Sequence, residues 1–152
     1  MMSLEKDLQQ KKPFKNEQEK STVNILYTSR FIETNLSREY KRFGITMKQY
    51  NILRILKGAG HAISTQVIRE RMIDRMSDIS RIVDRLLEKG LVSKCVNKED
   101  KRLVDVTLND LGETLLTDIT KNLTSSIYNT YNLDDDEAKQ LNYLLDKIRG
   151  YN

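Results

Sequence analysis

The spacing of apolar residues changes abruptly at Gly90, and this change constrains the fold more than any other feature of the sequence. Before it, apolar residues recur at steps of three and four, which is typical of an amphipathic helix: Ile79, Ile82, Val83, Leu86 and Leu87. Gly90 itself predicts a helix end, because glycine adopts the left-handed cap conformation without steric cost. After it, residues 91–96 and 103–108 are rich in β-branched residues and flank a charged loop, so they predict a two-stranded hairpin.

Helices are predicted on both sides of this unit. Residues 16–43 contain no helix breaker, and their apolar residues follow helical spacing. Four further helices are predicted to begin at polar caps: Thr46 with Gln49, Ser64, Asn109, and Asp134 with Glu137. We therefore predict a single, mainly α domain. Residues 46–108 form a winged helix-turn-helix, residues 13–43 and 109–150 form helical regions around it, and residues 1–12 form a frayed lead-in.

Composition excludes several classes of protein. With one cysteine and one histidine among 152 residues, the chain can form no intramolecular disulfide and lacks the ligands of a structural zinc site. No stretch approaches the roughly 20 apolar residues of a membrane helix. The sequence has no phosphate-binding loop and no GxSxG or HExxH motif, so no enzyme is predicted. We expect a cytoplasmic protein without metal or cofactor, with Cys95 as an inert strand thiol that is packed or partly covered.

Charge is distributed unevenly along the chain. Residues 1–108 hold 22 lysines and arginines against 14 acidic residues, a net charge of +8. Residues 109–152 hold 4 against 8, a net charge of −4. A contact with nucleic acid is therefore expected in the first segment, and another role for the second.

The helix before Gly90 and the hairpin after it carry candidate DNA-binding residues. A helix-turn-helix places the N-terminal part of its second helix in the major groove, where arginine can bond guanine and hydroxyl groups can meet bases or phosphates. The outward face of the predicted helix 77–89 is polar: Ser77, Asp78, Ser80, Arg81, Asp84 and Arg85. At the hairpin tip, Lys98, Lys101 and Arg102 can reach the adjacent minor groove. Double-stranded DNA is the predicted partner.

Two segments carry motifs of a known family. Residues 80–92, SRIVDRLLEKGLV, resemble the recognition-helix segment of the MarR (multiple antibiotic resistance regulator) family. Asp100-Lys101-Arg102, followed by Val106-Thr107 and Gly112, resembles its wing signature. The two motifs lie at the family's usual separation, and the order of helices over residues 20–148 is compatible with the family.

The resemblance implies a ligand-responsive regulator, expected to be a repressor. The resemblance also implies a homodimer in which the first and last helices intertwine and two winged lobes bind a pseudo-palindromic operator. Arg102 would enter the minor groove, Asp100 would orient nearby basic side chains, and four residues would contact bases or phosphates: Ser77, Asp78, Ser80 and Arg81. A small aromatic or anionic effector would bind between the DNA-binding lobe and the dimerisation layer, which the first and last helices form. Arg75 is a further candidate DNA contact, although whether Arg75 or Met76 faces DNA stays open.

Two alternatives remain at this stage. The apolar stripes of the outer helices favour a dimer, but these helices could instead fold back on their own core in a monomer. A winged helix can also serve only as a protein–protein interaction module without specific DNA binding. The cations Arg81, Arg85 and Arg102 favour DNA over that second alternative.

Overall fold

The structure is a computed structural model that describes residues 4–97, 100–101, 104–126 and 128–151. Its elements follow in chain order: α1 (Leu4–Asp7), α2 (Glu17–Arg42), α3 (Met47–Ala59), β1 (Ile63–Ser64), α4 (Thr65–Arg71), α5 (Ile79–Glu88), β2 (Val92–Val96), β3 (Val104–Leu108), α6 (Asp110–Ser126), a 3-10 helix (Tyr128–Tyr131) and α7 (Asp135–Ile148). Helices make up most of the described chain, which confirms the predicted mainly α class.

Side-chain caps begin the helices close to where the sequence predicts them. Thr46 and Gln49 form a capping box, in which the Thr46 hydroxyl accepts from the Gln49 amide and the Gln49 side chain accepts from the Thr46 amide. Asp134 and Glu137 form a second box at α7. Ser64 caps α4. These contacts satisfy backbone amides that have no partner within the helix, which fixes where each helix starts.

The sheet has three antiparallel strands in the order β1-β3-β2, whereas the sequence predicts two. The hairpin is confirmed: Val92 pairs with Leu108 and Val96 with Val104. The additional strand, β1, pairs Ile63 with Val106 on the other side of β3. A two-residue strand carries no periodic pattern, so the sequence contains no signal for it.

The hydrophobic core lies among α3, α4, α5, α6 and the sheet. Its largest fully buried side chains come from all of these elements: Ile52, Leu53, Leu56, Ile68, Ile79, Val83, Leu86, Val106, Ile119 and Leu123. The side chain of Lys89, at the end of α5, donates a hydrogen bond to the carbonyl of Gly44, between α2 and α3. Core packing and this hydrogen bond fix the orientation of α5.

The predicted frayed lead-in is wrong for residues Leu4–Asp7. Residues Leu4–Asp7 form a helical turn, and the side chain of Leu4 is buried. Glu5 and Lys20 form an ion pair at 2.7 Å, which links α1 to α2. This ion pair holds the pKa of Lys20 above its ordinary value. The contact joins residues fifteen positions apart, so local sequence pattern does not predict it.

The outer helices leave apolar surface uncovered. No described residue of α7 is buried, and four of its large apolar or aromatic side chains are exposed: Leu141, Tyr143, Leu144 and Ile148. Leu26 and Phe31 are exposed on α2. Both helices therefore present apolar groups that the core of one chain does not cover.

Candidate nucleic-acid interface

Helix α5 has one apolar face in the core and one polar face toward solvent. Ile79, Val83 and Leu86 are buried. Four predicted DNA-binding residues are exposed on its other side or at its start: Asp78, Ser80, Arg81 and Arg85. The Asp78 carboxylate accepts a hydrogen bond from the Arg81 amide at 3.1 Å and caps the helix. The predicted outward placement of these four residues is confirmed, while their contact with DNA stays a prediction.

Ser77 does not belong to this exposed face, so its predicted outward placement is wrong. Its side chain is only 5% exposed, and its hydroxyl donates to the Asp74 carboxylate at 2.9 Å. The helix begins at Ile79 rather than at Ser77. Ser77 therefore closes the preceding turn instead of opening the helix toward solvent.

Asp74 is the centre of the turn between α4 and α5. Its carboxylate accepts from the Met76 amide at 3.1 Å and from the Ser77 hydroxyl, and it pairs with Lys48 Nζ at 2.8 Å. The Lys48 ammonium, the Ser77 hydroxyl and the Met76 amide lower the pKa of Asp74, in that order of effect. Arg75 and Met76 are both exposed, so the structure leaves each of them available to a partner.

Helix α3 fixes this turn through two residues that sequence reasoning missed. Lys48 holds Asp74, and the Asn51 side-chain oxygen accepts from the Ile73 amide at 3.1 Å. Lys48 and Asn51 are three positions apart on one helix, but their partners lie more than twenty positions further along the chain. Single-sequence patterns report local spacing, so they contained no signal for either contact.

The base of the wing is organised by Asn97. Its side-chain amide donates to both carboxylate oxygens of Asp105, at 2.9 and 3.0 Å, and its side-chain oxygen accepts from the Asp100 amide at 2.8 Å. These bonds hold the start of the tip against β3. Lys101 is exposed there. The predicted DNA contacts Lys98 and Arg102 lie outside the described residues, and the orienting role of the Asp100 carboxylate stays a prediction.

A salt bridge joins α5 directly to the wing. Lys94, on β2, places its ammonium 2.6 Å from the Asp84 carboxylate of α5. The predicted polar face includes Asp84, but its partner was not anticipated. Because the bridge spans the two elements that carry the candidate DNA contacts, it limits their relative movement.

A cavity of about 720 Å³ lies between the long helix α2 and the region formed by α3, the turn before α5 and α6. Three tyrosines and two cations are among the residues that line it: Tyr40, Tyr50, Tyr128, Lys48 and Arg54. The rings of Tyr40 and Tyr50 stack with their centroids 4.4 Å apart. Burial, followed by the neighbouring Tyr50, raises the pKa of Tyr40 well above its ordinary value. Ile73 and Asp74 also line the cavity, so it borders the turn before α5.

Other candidate chemistry is sparse. Across the described part of the chain, no three His, Cys, Asp or Glu residues cluster in a way that could hold a metal ion. No helix within the same residues has the length and apolar character needed to cross a membrane. Cys95 is exposed on β2, so the packed environment that was one of its two predicted states is wrong. Its neighbour Lys94 pairs with the buried Val106, so the alternation along the strand places Cys95 on the face that points away from the core.

Comparison with known proteins agrees with this geometry. The sequence model of the MarR family matches residues 43–103. The chain is 30% identical over 82 residues to the HTH-type transcriptional repressor MdtR of Bacillus subtilis, a match that covers 54% of this chain and about half (52%) of MdtR. It is 26% identical over 112 residues to the HTH-type transcriptional regulator MgrA of Staphylococcus aureus, covering 74% of this chain and 75% of MgrA.

A solved structure extends the similarity over the outer helices. A mutant of MarR from E. coli, complexed with operator DNA, superposes with a TM-score of 0.77 at 25% identity, covering 90% of this chain and 99% of that one. The fold and the exposed face of α5 define a winged helix-turn-helix protein with additional terminal helices. Within that class, residues 43–103 match the sequence model of the MarR family, and the described fold is similar to that of MarR from E. coli.

Proposed function

We propose that this protein is a transcriptional regulator that binds double-stranded DNA sequence-specifically and is not an enzyme. The observation that carries the proposal is the exposed polar face of α5, with Ser80, Arg81 and Arg85 beside a wing tied to it by Lys94 and Asp84. A helix of this kind fits the major groove, and the wing lies where it can follow the backbone or the minor groove. The names of MdtR and MgrA, and the operator DNA bound by MarR of E. coli, support the same function.

The regulator acts as a homodimer on a pseudo-palindromic operator. Exposed apolar side chains on α2 and α7 support this arrangement, because pairing of two chains would remove them from water. A two-fold dimer presents two copies of α5, so its operator should contain two related half-sites. In this assignment residues 46–108 form the DNA-binding lobe, and residues 13–43 and 109–150 form the dimerisation region.

Ligand-relieved repression is the mode of regulation that we propose, acting in the cytoplasm where the chromosome lies. The cavity beside Asp74 supports it, because tyrosine rings can stack on an aromatic effector and the cations Lys48 and Arg54 can attract an anionic one. An effector seated there would contact the residues that hold the turn before α5. Binding of a small aromatic anion should therefore weaken DNA binding.

Selection of bound duplexes from a random pool, followed by gel shift, tests the function. We expect one enriched motif with two-fold symmetry. Arg81→Ala and Arg102→Ala should each weaken binding by about 1–3 kcal/mol, and Arg81→Ala should also relax preference at the base it contacts. Lys12→Ala serves as the control, because Lys12 is an exposed cation that lies outside both the DNA-binding lobe and the dimerisation region. Added benzoate should release the selected duplex.

The outcome separates the proposal from its alternative. Failure to enrich any duplex, together with equal low-salt binding by wild type and both arginine variants, would contradict specific DNA binding. That result would favour a winged helix that serves only protein–protein contact.

A further inference from the structure

The turn before α5 carries two apolar side chains that are almost fully exposed. Met76 is 94% exposed and Ile73 is 91% exposed. The other large apolar side chains described as exposed range only from 37% to 67%. Their exposure makes this turn a candidate contact surface, which has to be argued from its surroundings.

The backbone of this turn is held, so the exposure of Met76 does not come from a loose loop. The Met76 amide donates to Asp74 at 3.1 Å, and the next residue, Ser77, is buried and bonded to the same carboxylate. Lys48 anchors Asp74 to α3 at 2.8 Å. Met76 therefore exposes its side chain from a turn whose backbone is held on both sides of Asp74.

The surroundings of Met76 favour duplex DNA as its partner. Met76 lies two residues before Asp78, the cap of α5, at the end of the helix that enters the major groove in the proposed complex. Arg75 and Arg81 are exposed on either side of it in sequence. The major groove has phosphates along its edges and an apolar group on its floor, so it matches the apolar Met76 side chain with a cation on either side.

We propose that Met76 recognises a thymine in each half-site of the operator by van der Waals contact with its C5-methyl group. That methyl is the apolar group that the major groove presents, and it distinguishes thymine from every other base. The flexible, polarizable methionine side chain can adapt to it. This inference rests on the proposed function and adds a specificity determinant that lies in the turn, outside α5.

Uracil substitution tests the contact directly. Uracil keeps the hydrogen-bonding groups of thymine and lacks only the methyl. The thymines of the selected operator are therefore replaced one position at a time, with the same position changed in both half-sites. We expect one position at which uracil weakens wild-type binding by about fourfold per half-site, the effect of one buried methyl group. Met76→Ala should bind the thymine and uracil duplexes equally, and its own selection from the random pool should lose the preference at that position.

Ile73→Ala is the matched control. Ile73 is almost as exposed as Met76 and lies three residues earlier in the same turn, but it lines the cavity beside α3. We therefore expect Ile73→Ala to keep the full sensitivity to uracil. Circular dichroism of both variants checks that each still folds, which is expected since neither side chain is buried.

The possible failures of this inference and of the proposed function are distinguishable. If a symmetric operator is selected and wild-type protein tolerates uracil at every thymine, methyl recognition is overturned while DNA binding stands. If Met76→Ala keeps the uracil sensitivity, another side chain contacts the methyl and the inference is overturned. If Met76→Ala weakens binding to the thymine and the uracil duplexes by the same factor, Met76 has only a structural role and the inference is again overturned. If no duplex is enriched, both the inference and the proposed function fail.

Discussion

Gly112 lies where the first turn of α6 passes over the backbone that follows α5. A Cβ atom at this position would lie 2.2 Å from the carbonyl oxygen of Leu91 and 2.7 Å from a methyl of Leu108. Asn109 holds the same approach, because its side chain accepts from the Gly112 amide at 3.0 Å and donates to the Gly90 carbonyl at 2.8 Å. Glycine is therefore required here for close packing rather than for an unusual backbone angle.

Replacement of Gly112 by alanine should destabilise the fold. The added methyl would meet a backbone carbonyl that cannot turn aside, so α6 must shift, and overpacking of this kind costs about 1–3 kcal/mol. Urea denaturation measures the free energy of unfolding. Gly58→Ala is the control, since Gly58 lies within α3 and a methyl added there would meet no neighbouring group within 4 Å, so it should stabilise by about 0.4–1 kcal/mol. Equal stability of Gly112→Ala and wild type would contradict this account.

The elements divide clearly into those that sequence predicts and those that it does not. The helix of α5, its end at Gly90 and the β2–β3 hairpin depend on periodicity and on one left-handed glycine, both of which are local signals. The inward position of Ser77 depends on Asp74, which in turn depends on Lys48 of another helix. A serine before a helix resembles a cap in sequence, and only the long-range contact shows that Asp78 takes that role.

The pKa of Asp74 should report the contacts that hold the turn before α5. Contact with Lys48, Ser77 and the Met76 amide lowers the pKa of Asp74 below its ordinary value of 3.8. Since the folded state favours the ionised form, this contribution to stability is fully present above pH 3.8 and is lost as pH falls through the lowered pKa. NMR titration of the Asp74 carboxyl carbon measures it directly.

Variants on α3 and in the turn separate the causes of this shift. Lys48→Met and Ser77→Ala should each raise the pKa of Asp74 toward 3.8, and Lys48→Met should have the larger effect because its contact contributes most. Lys57→Met is the control, since Lys57 is a similarly exposed lysine of α3 that pairs with Glu113 instead. An unchanged Asp74 titration in Lys48→Met would show that the ion pair does not hold the turn.

In the whole molecule, positive and negative net charge lie in different segments of the chain. The net charge of −4 on residues 109–152 is repelled by DNA, and the same segment contains α7 with its exposed apolar side chains. Residues 61–108 hold 10 basic against 8 acidic residues, so the candidate DNA-binding unit is nearly neutral in bulk. The positions of its cations on α5 and in the wing therefore argue for DNA binding, and the total charge does not. Sequence alone predicted this division but could not tell whether the outer helices cover their own core or a second chain.

Static light scattering decides between these two arrangements of the outer helices. We expect a mass of two chains of 17.8 kDa each at micromolar concentration, because α7 buries none of its residues within one chain. The double variant Leu144→Asp with Ile148→Asp should reduce the mass to that of one chain, since two carboxylates would then have to lose their hydration in the apolar interface. Met76→Asp introduces one carboxylate at an almost fully exposed site in the turn and should leave the dimer intact. A wild-type mass of one chain would mean that α2 and α7 fold onto their own core, and two half-sites would no longer be expected in the operator.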